Sequence, residues 1–404
     1  MLTTGAPWLS TIKTGIPFLS VYLSTMMEAP QKANSNSLSG LLPNRFGVYV
    51  HIPFCSRKCS YCDFYSLSGS TYSEFEALIS CVRQEILETG AWLKKEHDFN
   101  APVSSIFFGG GTPSLLSPQL LQRVITTIDT VFDVSSDVEI TLEANPETIS
   151  EKYCTALSEE TKFNRISLGV QSFKAPHLRT LERLSSREII YQAVNQLRIA
   201  GFENQSLDLI FGIPEQSEEE MAEDIAEAVL LRPKHISTYG LTVKPEHPLF
   251  KRLPEEELAV ELYNVMLSTL EEKGFEQYEI SNHALPGFQC SHNLLYWQGG
   301  DFLGIGPSAA SRFFWDGVFH HRKHPADTRK YLEAIRMGSA FPFETSTRQQ
   351  TILEASFLEF RCNKGVHLKN FLQRYGYDLT SAKKYRLFLE EGFIVEQSHR
   401  VRLT

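Results

Sequence analysis

Three cysteines lie close together near the start of the chain, and their spacing is that of a metal or cluster site. Cys55, Cys59 and Cys62 form the pattern C-x3-C-x2-C in "FCSRKCSYCDF". Zinc and iron–sulfur sites held by protein alone usually have four ligands, so one position here remains for another group. Zinc stays an alternative, although no fourth Cys or His lies nearby in the usual pairing and His51 falls in a predicted strand. An iron–sulfur cluster with one open iron could bind a substrate or cofactor.

The elements that position these cysteines follow a regular rhythm from residue 45 onward. Strand-like runs at 47–52, 103–108, 137–144, 164–170, 206–211 and 235–243 alternate with longer amphipathic stretches. Such alternation predicts a parallel sheet covered by helices. The polar motifs "GGGTPS", "EANPE", "QSF" and "GIPEQ" each follow a predicted strand directly. Functional groups at the carboxyl ends of parallel strands are typical of a (β/α) barrel and also suit a doubly wound crevice.

The sequence predicts an α/β fold with three parts after residue 45. An incomplete parallel (β/α)6 barrel is expected over 46–275, followed by a smaller α+β and helical C-terminal region. Residues 276–344 form an aromatic- and Gly-rich segment, which indicates loops and short strands. Residues 345–404 indicate two or three helices and a final hairpin, a small winged-helix-like domain. This domain has no obvious basic stripe and the net charge is −9, so nucleic acid is not an expected partner.

Residues 1–45 differ from the rest in composition. They are rich in Ser and Thr, and Glu28 is their only acid. This composition predicts a transit peptide, for the chloroplast stroma or the mitochondrial matrix. Farther along the chain, Ser117 and Pro118 predict the start of a helix. A disordered tail on a cytoplasmic protein is the alternative. No run of about 18 apolar residues occurs, so no transmembrane segment is expected.

The cysteine motif and the strand-end motifs resemble the radical SAM superfamily, in its coproporphyrinogen III oxidase-like branch. The resemblance is carried by "YVHIPFCSRKCSYCDFYS", "FFGGGTPS", "EANPE", "ISLGVQSF", "DLIFGIP" and "HNLLYWQGGDFLGIGPSA" and extends from about residue 45 to the C-terminus. It implies a [4Fe–4S] cluster on the three cysteines, with S-adenosylmethionine (SAM) chelating the open iron through its amino and carboxylate groups. The positions that match SAM contacts in the family are Tyr49, Tyr61, Gly110, Gly111, Thr112, Glu143, Gln171, Arg183 and Asp208. Among these, Glu143 matches the carboxylate that contacts the amino-acid moiety of SAM.

Two kinds of protein in this branch differ at one position. The dehydrogenase that decarboxylates coproporphyrinogen III has a further cysteine where this chain has Phe64. Haem chaperones of the HemW type have Phe there and an H-N-x-x-Y motif, which His292, Asn293 and Tyr296 match in "HNLLYW". His and Tyr both ligate haem, and in a helix these two would share a face. Cys290 is a further candidate ligand, and a buried, hydrogen-bonded histidine is the alternative interpretation of His292.

The resemblance therefore implies a HemW-like haem chaperone that binds haem and a SAM-ligated cluster and delivers haem to acceptor apoproteins. The resemblance does not decide whether the protein forms a homodimer or whether it is an enzyme. Glu182 and Ser185 replace the Gly and His of a common L-G-R-x-H motif, and Ala310 replaces a histidine of GPSAHS. These departures count against porphyrinogen oxidation. The alternatives are an oxygen-independent coproporphyrinogen III dehydrogenase of porphyrin biosynthesis or a radical SAM enzyme acting on another substrate.

The cluster assignment is testable by replacing all three cysteines. We expect the triple Cys55→Ala, Cys59→Ala, Cys62→Ala variant to lose the iron–sulfur absorbance after anaerobic reconstitution, because the protein offers the cluster no other thiolates nearby. A Cys362→Ala variant, which removes a scattered thiol, should keep it. A full complement of iron and sulfide in the triple variant would show that the assignment is wrong.

Overall fold

The computed structural model describes residues 46–339 and 341–404, so the targeting expectation for residues 1–45 lies outside the described part of the chain. Within that part, no helix is long and apolar enough to cross a membrane. A twelve-stranded sheet contains most of the strands, and a separate three-stranded sheet lies near the C-terminus.

The strands are β1 (Phe46–Ile52), β2 (Phe54–Cys55), β3 (Leu67–Ser68), β4 (Val103–Gly110), β5 (Val134–Ala144), β6 (Arg165–Gln171), β7 (Gln205–Phe211), β8 (His235–Gly240), β9 (Glu276–Glu279), β10 (Asn282–Ala284), β11 (Asp301–Ile305), β12 (Ala310–Trp315), β13 (Val318–Lys323), β14 (Glu344–Thr345), β15 (Val366–His367), β16 (Ile394–Gln397) and β17 (Arg400–Leu403). The helices are α1 (Tyr72–His97), α2 (Pro118–Val131), α3 (Glu151–Glu160), α4 (Ala175–Thr180), α5 (Arg187–Ile199), α6 (Glu218–Leu230), α7 (Glu256–Glu272), α8 (Ser291–Trp297), α9 (Thr328–Arg336), α10 (Arg348–Glu359), α11 (Leu368–Tyr375) and α12 (Tyr385–Glu390).

The six predicted strands form the parallel centre of the large sheet. They are β1, β4, β5, β6, β7 and β8, and each pairs in parallel with the next along the chain. The strand β11 adds one more parallel neighbour, on the other side of β1, with Phe46 opposite Asp301 and Val50 opposite Ile305. Antiparallel strands extend both edges, in the order β14-β13-β12-β11-β1-β4-β5-β6-β7-β8-β10-β9. This parallel-dominated sheet confirms the predicted α/β fold class, and the segment 276–344 continues the same sheet.

The two faces of the parallel strands differ in polarity. In β5, Ile140 and Leu142 are buried in the main apolar core, where the helices pack. The alternate residues Glu139, Thr141 and Glu143 point to the opposite face, because successive side chains along a strand alternate. A parallel sheet buried on both faces normally has apolar residues on both. The polar inner face is therefore the face of the sheet that is built to meet a ligand.

The helices begin where the sequence provides capping residues. Ser117 accepts a hydrogen bond from the Leu120 backbone N–H, and Pro118 occupies the first turn of α2, as predicted. The helix α1 begins with a capping box between Thr71 and Glu74. The helices α1, α2, α3, α5, α6 and α7 pack on the apolar face of the sheet, so the polar face lies on the opposite side.

The C-terminal residues 345–404 have an apolar core of their own. Val366, Phe371, Phe388 and Val401 are buried in it, between α10 to α12 and the antiparallel sheet of β15, β17 and β16. Asn363 fastens this part to the large sheet by donating through Nδ2 to the backbone oxygen of Gln277 at 2.9 Å.

The helix α8 is the second attachment point of the C-terminal domain. The Arg361 guanidinium lies 4.3 Å from the centroid of the Trp297 ring. Arg374 donates to the backbone oxygens of Gln298 at 3.1 Å and Gly299 at 2.7 Å. The C-terminal domain therefore rests against the end of the helix that carries the "HNLLYW" motif.

A buried carboxylate ties α1 to the added strands. Glu85 is 2% exposed and accepts a hydrogen bond from the Tyr331 hydroxyl at 2.7 Å. His324 and Arg322 contact the same carboxylate at 2.9 and 3.3 Å, and the Gly306 backbone N–H donates to it at 3.2 Å. Burial works against the ionised form, but His324 and Arg322 outweigh it and hold the pKa of Glu85 below its usual range. One side chain thus joins α1, β13, α9 and the end of β11.

We expect Glu85→Ala to lower the free energy of unfolding by about 3–5 kcal/mol, because it leaves buried Arg322 without its counter-charge. The midpoint of urea denaturation, followed by circular dichroism, measures the loss. Glu88→Ala is the matched control: Glu88 is exposed on the same helix, so its removal should change the free energy by less than about 0.5 kcal/mol. Equal effects of the two substitutions would contradict the role of Glu85.

Candidate functional site

The three cysteines lie in the loop after β1, at the carboxyl end of the parallel strands. Cys55 belongs to the short strand β2, which pairs in parallel with β3. The Cys62 backbone N–H donates to the Cys59 oxygen at 3.1 Å, which closes a tight turn between these two residues. All three thiols are free and partly exposed. The loop therefore presents its cysteines at the end of the barrel where parallel strands collect functional groups.

A chain of side-chain hydrogen bonds links two of the cysteines. Thr112 donates to Cys55 Sγ at 3.6 Å and accepts from Asn145 Nδ2 at 3.0 Å. Arg183 donates through Nη2 to Asn145 Oδ1 at 2.8 Å and through Nη1 to Cys59 Sγ at 3.6 Å. These hydrogen bonds point the two sulfur atoms into the loop where a bound group would meet them. The chain fixes the positions of Cys55 and Cys59 relative to each other.

The predicted glycine-rich loop adopts a backbone that side chains would obstruct. Gly110 has φ +111°, and its N–H donates to Glu143 Oε2 at 3.1 Å. A Cβ on Gly111 would lie 2.6 Å from the Phe54 oxygen, and a Cβ on Gly109 would lie 3.0 Å from Glu143 Oε2. Glycine is therefore required for the β4 loop to approach both the cysteine loop and Glu143.

Glu143 and Tyr49 lie side by side on the inner face. Burial raises the pKa of Glu143 to about 8, and the charge of Asp208 adds to this effect. Glu143 is therefore mostly protonated at neutral pH. The Tyr49 hydroxyl lies 3.1 Å from His51 Nδ1, and His51 Nε2 lies 3.0 Å from the Tyr65 oxygen. Because a carbonyl only accepts, His51 carries its proton on Nε2, so Tyr49 donates to Nδ1.

Asp208 is held by serines. Ser167 donates to both of its oxygens at 3.1 Å, and Ser206 donates to Oδ1 at 3.3 Å. These hydrogen bonds favour the ionised carboxylate, but burial outweighs them and raises its pKa. The two serines thus fix the orientation of the Asp208 carboxylate. Its lone pairs that the serines do not use keep a set direction.

A chain of hydrogen bonds leads from Asp208 to the residue that precedes α8. Ser206 uses its proton on Asp208, so it accepts from His235 Nδ1 at 2.8 Å. His235 Nε2 is then unprotonated and accepts from the Tyr278 hydroxyl at 2.8 Å, which itself accepts from the Cys290 N–H at 3.3 Å. Burial lowers the pKa of His235 well below its usual range, so the ring is neutral as this chain requires. The chain connects Asp208 to the start of α8.

Two further predicted positions complete the rim of the site. Gln171 has φ +70° at the end of β6, where the register with β7 shifts, and non-glycine residues in this conformation are strained. Tyr61 packs against Leu181, Ile210 and Ile213. The structure thus brings Tyr49, Tyr61, Gln171 and the other predicted SAM positions to the same end of the barrel.

The predicted haem residues lie on α8, beside this group. His292 is 1% exposed, and its Nδ1 and Nε2 lie 2.8 Å from the Ser105 and Tyr296 hydroxyls. Burial lowers the pKa of His292 to about 3, so the ring is neutral. The Cys290 thiol is fully buried and donates to Glu139 Oε1 at 3.4 Å. In this arrangement both nitrogens of His292 are used within the protein, so haem coordination through Nε2 requires the Tyr296 hydroxyl to turn away.

The site fits a cluster and SAM in its donor set and in its shape. Three thiols, two of which receive hydrogen bonds, and a glycine loop that a Cβ would obstruct are features such a site needs. Within residues 46–339 and 341–404, no three His, Cys, Asp or Glu side chains are placed to hold a single metal ion. The thiolates of a [4Fe–4S] cluster bind different irons, so they do not need to converge on one point.

Sequence reasoning missed several residues of this site. Asn145 stands within the "EANPE" motif but was not assigned a role, and it joins Thr112 to Arg183. The serines around Asp208 were missed as well, although they alternate along β6 and β7 at inward positions. A polar residue at every second position of a buried strand is the signal that could have found them.

The comparisons with known proteins agree with this geometry. Residues 49–228 match the Radical SAM superfamily. The haem chaperone HemW of Bacillus subtilis is 33% identical over 372 residues, which cover 88% of this chain and 94% of that protein. The haem chaperone HemW of Haemophilus influenzae is 36% identical over 366 residues, covering 88% and 93%. This chain belongs to the HemW family of the radical SAM superfamily.

The fold of this HemW-family chain is also that of a solved enzyme structure. Coproporphyrinogen III oxidase (HemN) from Escherichia coli, described as a radical SAM enzyme, superposes with a TM-score of 0.72 and 21% sequence identity. The superposition covers 95% of this chain and 89% of the enzyme. HemW-family and HemN chains therefore share their architecture beyond the barrel.

The pKa of Glu143 gives a testable property of SAM binding. We expect SAM to displace about one proton from Glu143 at pH 7, because the N–H groups of the iron-bound SAM amine donate to the carboxylate and lower its pKa from about 8. The affinity should then rise with pH until about pH 8. Calorimetry in two buffers of different ionisation enthalpy counts the released protons. Glu143→Gln should release about one proton fewer than the wild type, whereas Glu147→Gln, four residues later, should release as many as the wild type. Equal release by Glu143→Gln and the wild type would contradict the assignment.

Proposed function

We propose that this chain is a HemW-type haem chaperone, which binds haem and a SAM-ligated [4Fe–4S] cluster and delivers haem to acceptor haemoproteins. The observation that carries the proposal is the position of α8. The His292 ring stacks on Phe107 with 5.2 Å between centroids and lies 6.4 Å from the Tyr49 ring. The H-N-x-x-Y motif therefore lies against the same inner face of the sheet as the predicted SAM residues. The space over this inner face, beside α8, is called the chamber below.

The surroundings of the cysteines support a carrier over a decarboxylating enzyme. Phe64 stands where the dehydrogenase has its further cysteine, and its side chain is 64% exposed. Ser185, in place of a family histidine, donates to Glu147 at 2.9 Å and so serves to hold the loop. Ala310 begins β12 and brings no ionisable group. None of these three positions can transfer a proton to a porphyrinogen as a histidine or cysteine could.

The protein's own residues hold and orient the bound groups. Cys55, Cys59 and Cys62 would ligate the cluster, and Thr112 and Arg183 would hold the sulfur atoms of Cys55 and Cys59 in place. When bound, a cluster with SAM supplies one-electron chemistry. The remaining predicted positions would surround SAM, with Glu143 at its amino-acid end.

Reversible haem binding follows from the hydrogen bonds of His292. A carrier must hold haem tightly enough to keep it from solution and still release it. Iron at His292 Nε2 competes with the Tyr296 hydroxyl, which lies 2.8 Å from that nitrogen. Because the hydrogen bond re-forms when haem leaves, it lowers the net affinity and favours release.

The alternative function is that of a coproporphyrinogen III dehydrogenase, and the shared fold with HemN is the observation that favours it. The two functions make opposite predictions for the same purified protein. A dehydrogenase converts coproporphyrinogen III to protoporphyrinogen IX in the presence of SAM and a reductant. A chaperone binds haemin and transfers it to an apoprotein without that conversion.

We expect the reconstituted protein to bind haemin with a Soret band, to transfer it to an apohaemoprotein and to leave coproporphyrinogen III unchanged. His292→Ala should weaken haemin binding by about tenfold or more, because an axial ligand is lost. Tyr296→Phe should strengthen binding or leave it unchanged, since it frees His292 Nε2. The iron–sulfur absorbance, measured in parallel, should be unaffected by either substitution.

Two outcomes would count against the proposal. Efficient decarboxylation of coproporphyrinogen III by the wild-type protein would move the function to the dehydrogenase. Equal losses of haemin binding in His292→Ala and Tyr296→Phe, with an unchanged position of the Soret band in both, would indicate that the two residues only support the fold and that haem binds elsewhere.

A further inference from the structure

An arginine inside the barrel has no hydrogen-bond partner. Arg165, the first residue of β6, is 2% exposed, and its side chain makes no hydrogen bond to any residue that the structure describes. Its Nε is fully buried and unpaired. A guanidinium carries several N–H donors, and burying such donors without acceptors is costly. Native proteins satisfy buried polar groups, so Arg165 indicates an acceptor that does not belong to the chain.

The carboxylates near Arg165 balance its charge but do not supply this acceptor. Glu139 and Asp208 both raise the pKa of Arg165, although burial opposes the charged form. The oxygens of Glu139 already accept from the Ser291 and His292 N–H groups at 3.2 Å. Asp208 accepts from its serines at 3.1–3.3 Å. Arg165 is therefore kept charged while its donors stay free.

A second unpaired polar group lies directly beside Arg165. Thr141 is its register partner on β5, is fully buried, and its Oγ1 has no hydrogen-bond partner among the described residues. Both side chains point to the inner face, deeper in the barrel than Glu143, which lies one inward position closer to the carboxyl end of β5. Glu143 and Asp208 above them are half-buried, whereas Arg165 and Thr141 are almost completely buried, so these two residues form the floor beneath the predicted SAM positions.

We propose that Arg165 and Thr141 form a carboxylate-binding site on the floor of the chamber. A planar guanidinium matches a carboxylate with two parallel hydrogen bonds, and the threonine hydroxyl can donate a third. The proposal rests on the proposed function, because a propionate of haem is one source of such a carboxylate. SAM, whose carboxylate is expected on the open iron, is the comparison ligand from which the experiment must separate it.

The charges around Arg165 determine which feature of the site can bind a carboxylate. Glu139 and Asp208 face Arg165 and repel an incoming carboxylate, whereas Glu143, with a pKa of about 8, is mostly neutral at pH 7. Binding therefore depends on the direct fork-shaped contact and not on the net charge of the chamber. A lysine, which keeps the charge but has no planar fork, should not replace Arg165.

The test compares each ligand with a partner that lacks the carboxylate. Haemin is paired with haemin dimethyl ester, and SAM with decarboxylated S-adenosylmethionine, in calorimetric or absorbance titrations of the reconstituted protein. In the pair that uses the site, we expect the wild type to prefer the free acid by at least about tenfold. Arg165→Lys and Thr141→Val should bring that ratio toward one without changing the affinity for the ligand that lacks the carboxylate. Arg179→Lys, at an exposed position on α4, is the control and should keep the wild-type ratio.

Each result has a defined meaning. Loss of the preference in the haemin pair or in the SAM pair identifies the source of the carboxylate. Ratios that stay at the wild-type value in both pairs, for both floor variants, overturn the proposal and leave ordered water as the partner of Arg165. If neither haemin nor its ester binds the wild-type protein, the proposed function is wrong. The SAM pair alone then tests the floor site. Thr141→Val is nearly isosteric, so it provides the answer if Arg165→Lys does not fold.

Discussion

The site depends on the backbone ladder between β1 and β4, which continues past the ends of both strands. The Gly111 N–H donates to the Ile52 oxygen at 2.8 Å, and the Thr112 N–H donates to the Phe54 oxygen at 2.7 Å. These two bonds hold the glycine loop against the start of the cysteine loop. Because Thr112 is fixed in this way, its hydroxyl meets Cys55, and the chain through Asn145 and Arg183 reaches Cys59. A shift of one residue in this register would move every inward side chain to the apolar face.

The inner face of the sheet places many polar groups in a region of low dielectric constant, which is costly unless they are paired. The structure pairs most of them in chains of fixed direction. One chain runs from Cys290 through Tyr278 and His235 toward Asp208, and another runs from the Tyr49 hydroxyl through His51 to the Tyr65 oxygen. In such chains each donor has one acceptor, so the protonation state of each histidine is determined by its neighbours. The chamber is therefore rigid before any ligand enters.

The sequence predicted those parts of the molecule that local patterns encode. The alternation of strands and helices located β1 and β4 to β8, and the motifs at the strand ends located the cysteines, the glycine loop and Glu143. Short strands were predicted within 276–344, but the parallel pairing of β11 with β1 was not, because it joins residues about 250 positions apart and depends on a run of only five residues. Arg165 and His235 were missed for a related reason. Each is an ordinary polar residue within a strand, and only the packed barrel shows that one lacks a partner and the other connects two sites.

The contact between the C-terminal domain and α8 has a mechanical consequence. Arg361 stacks on Trp297, and Arg374 donates to the backbone just after it. The C-terminal domain therefore contacts one end of α8, a helix of seven residues. His292 lies near the other end of that helix. A short helix transmits displacement along its axis with little bending, so a protein that pushes on the C-terminal domain also pushes on the histidine. Under the proposed function, an acceptor that docks on the C-terminal domain would shift α8 along its axis, and the same shift would weaken the contact between His292 and haem.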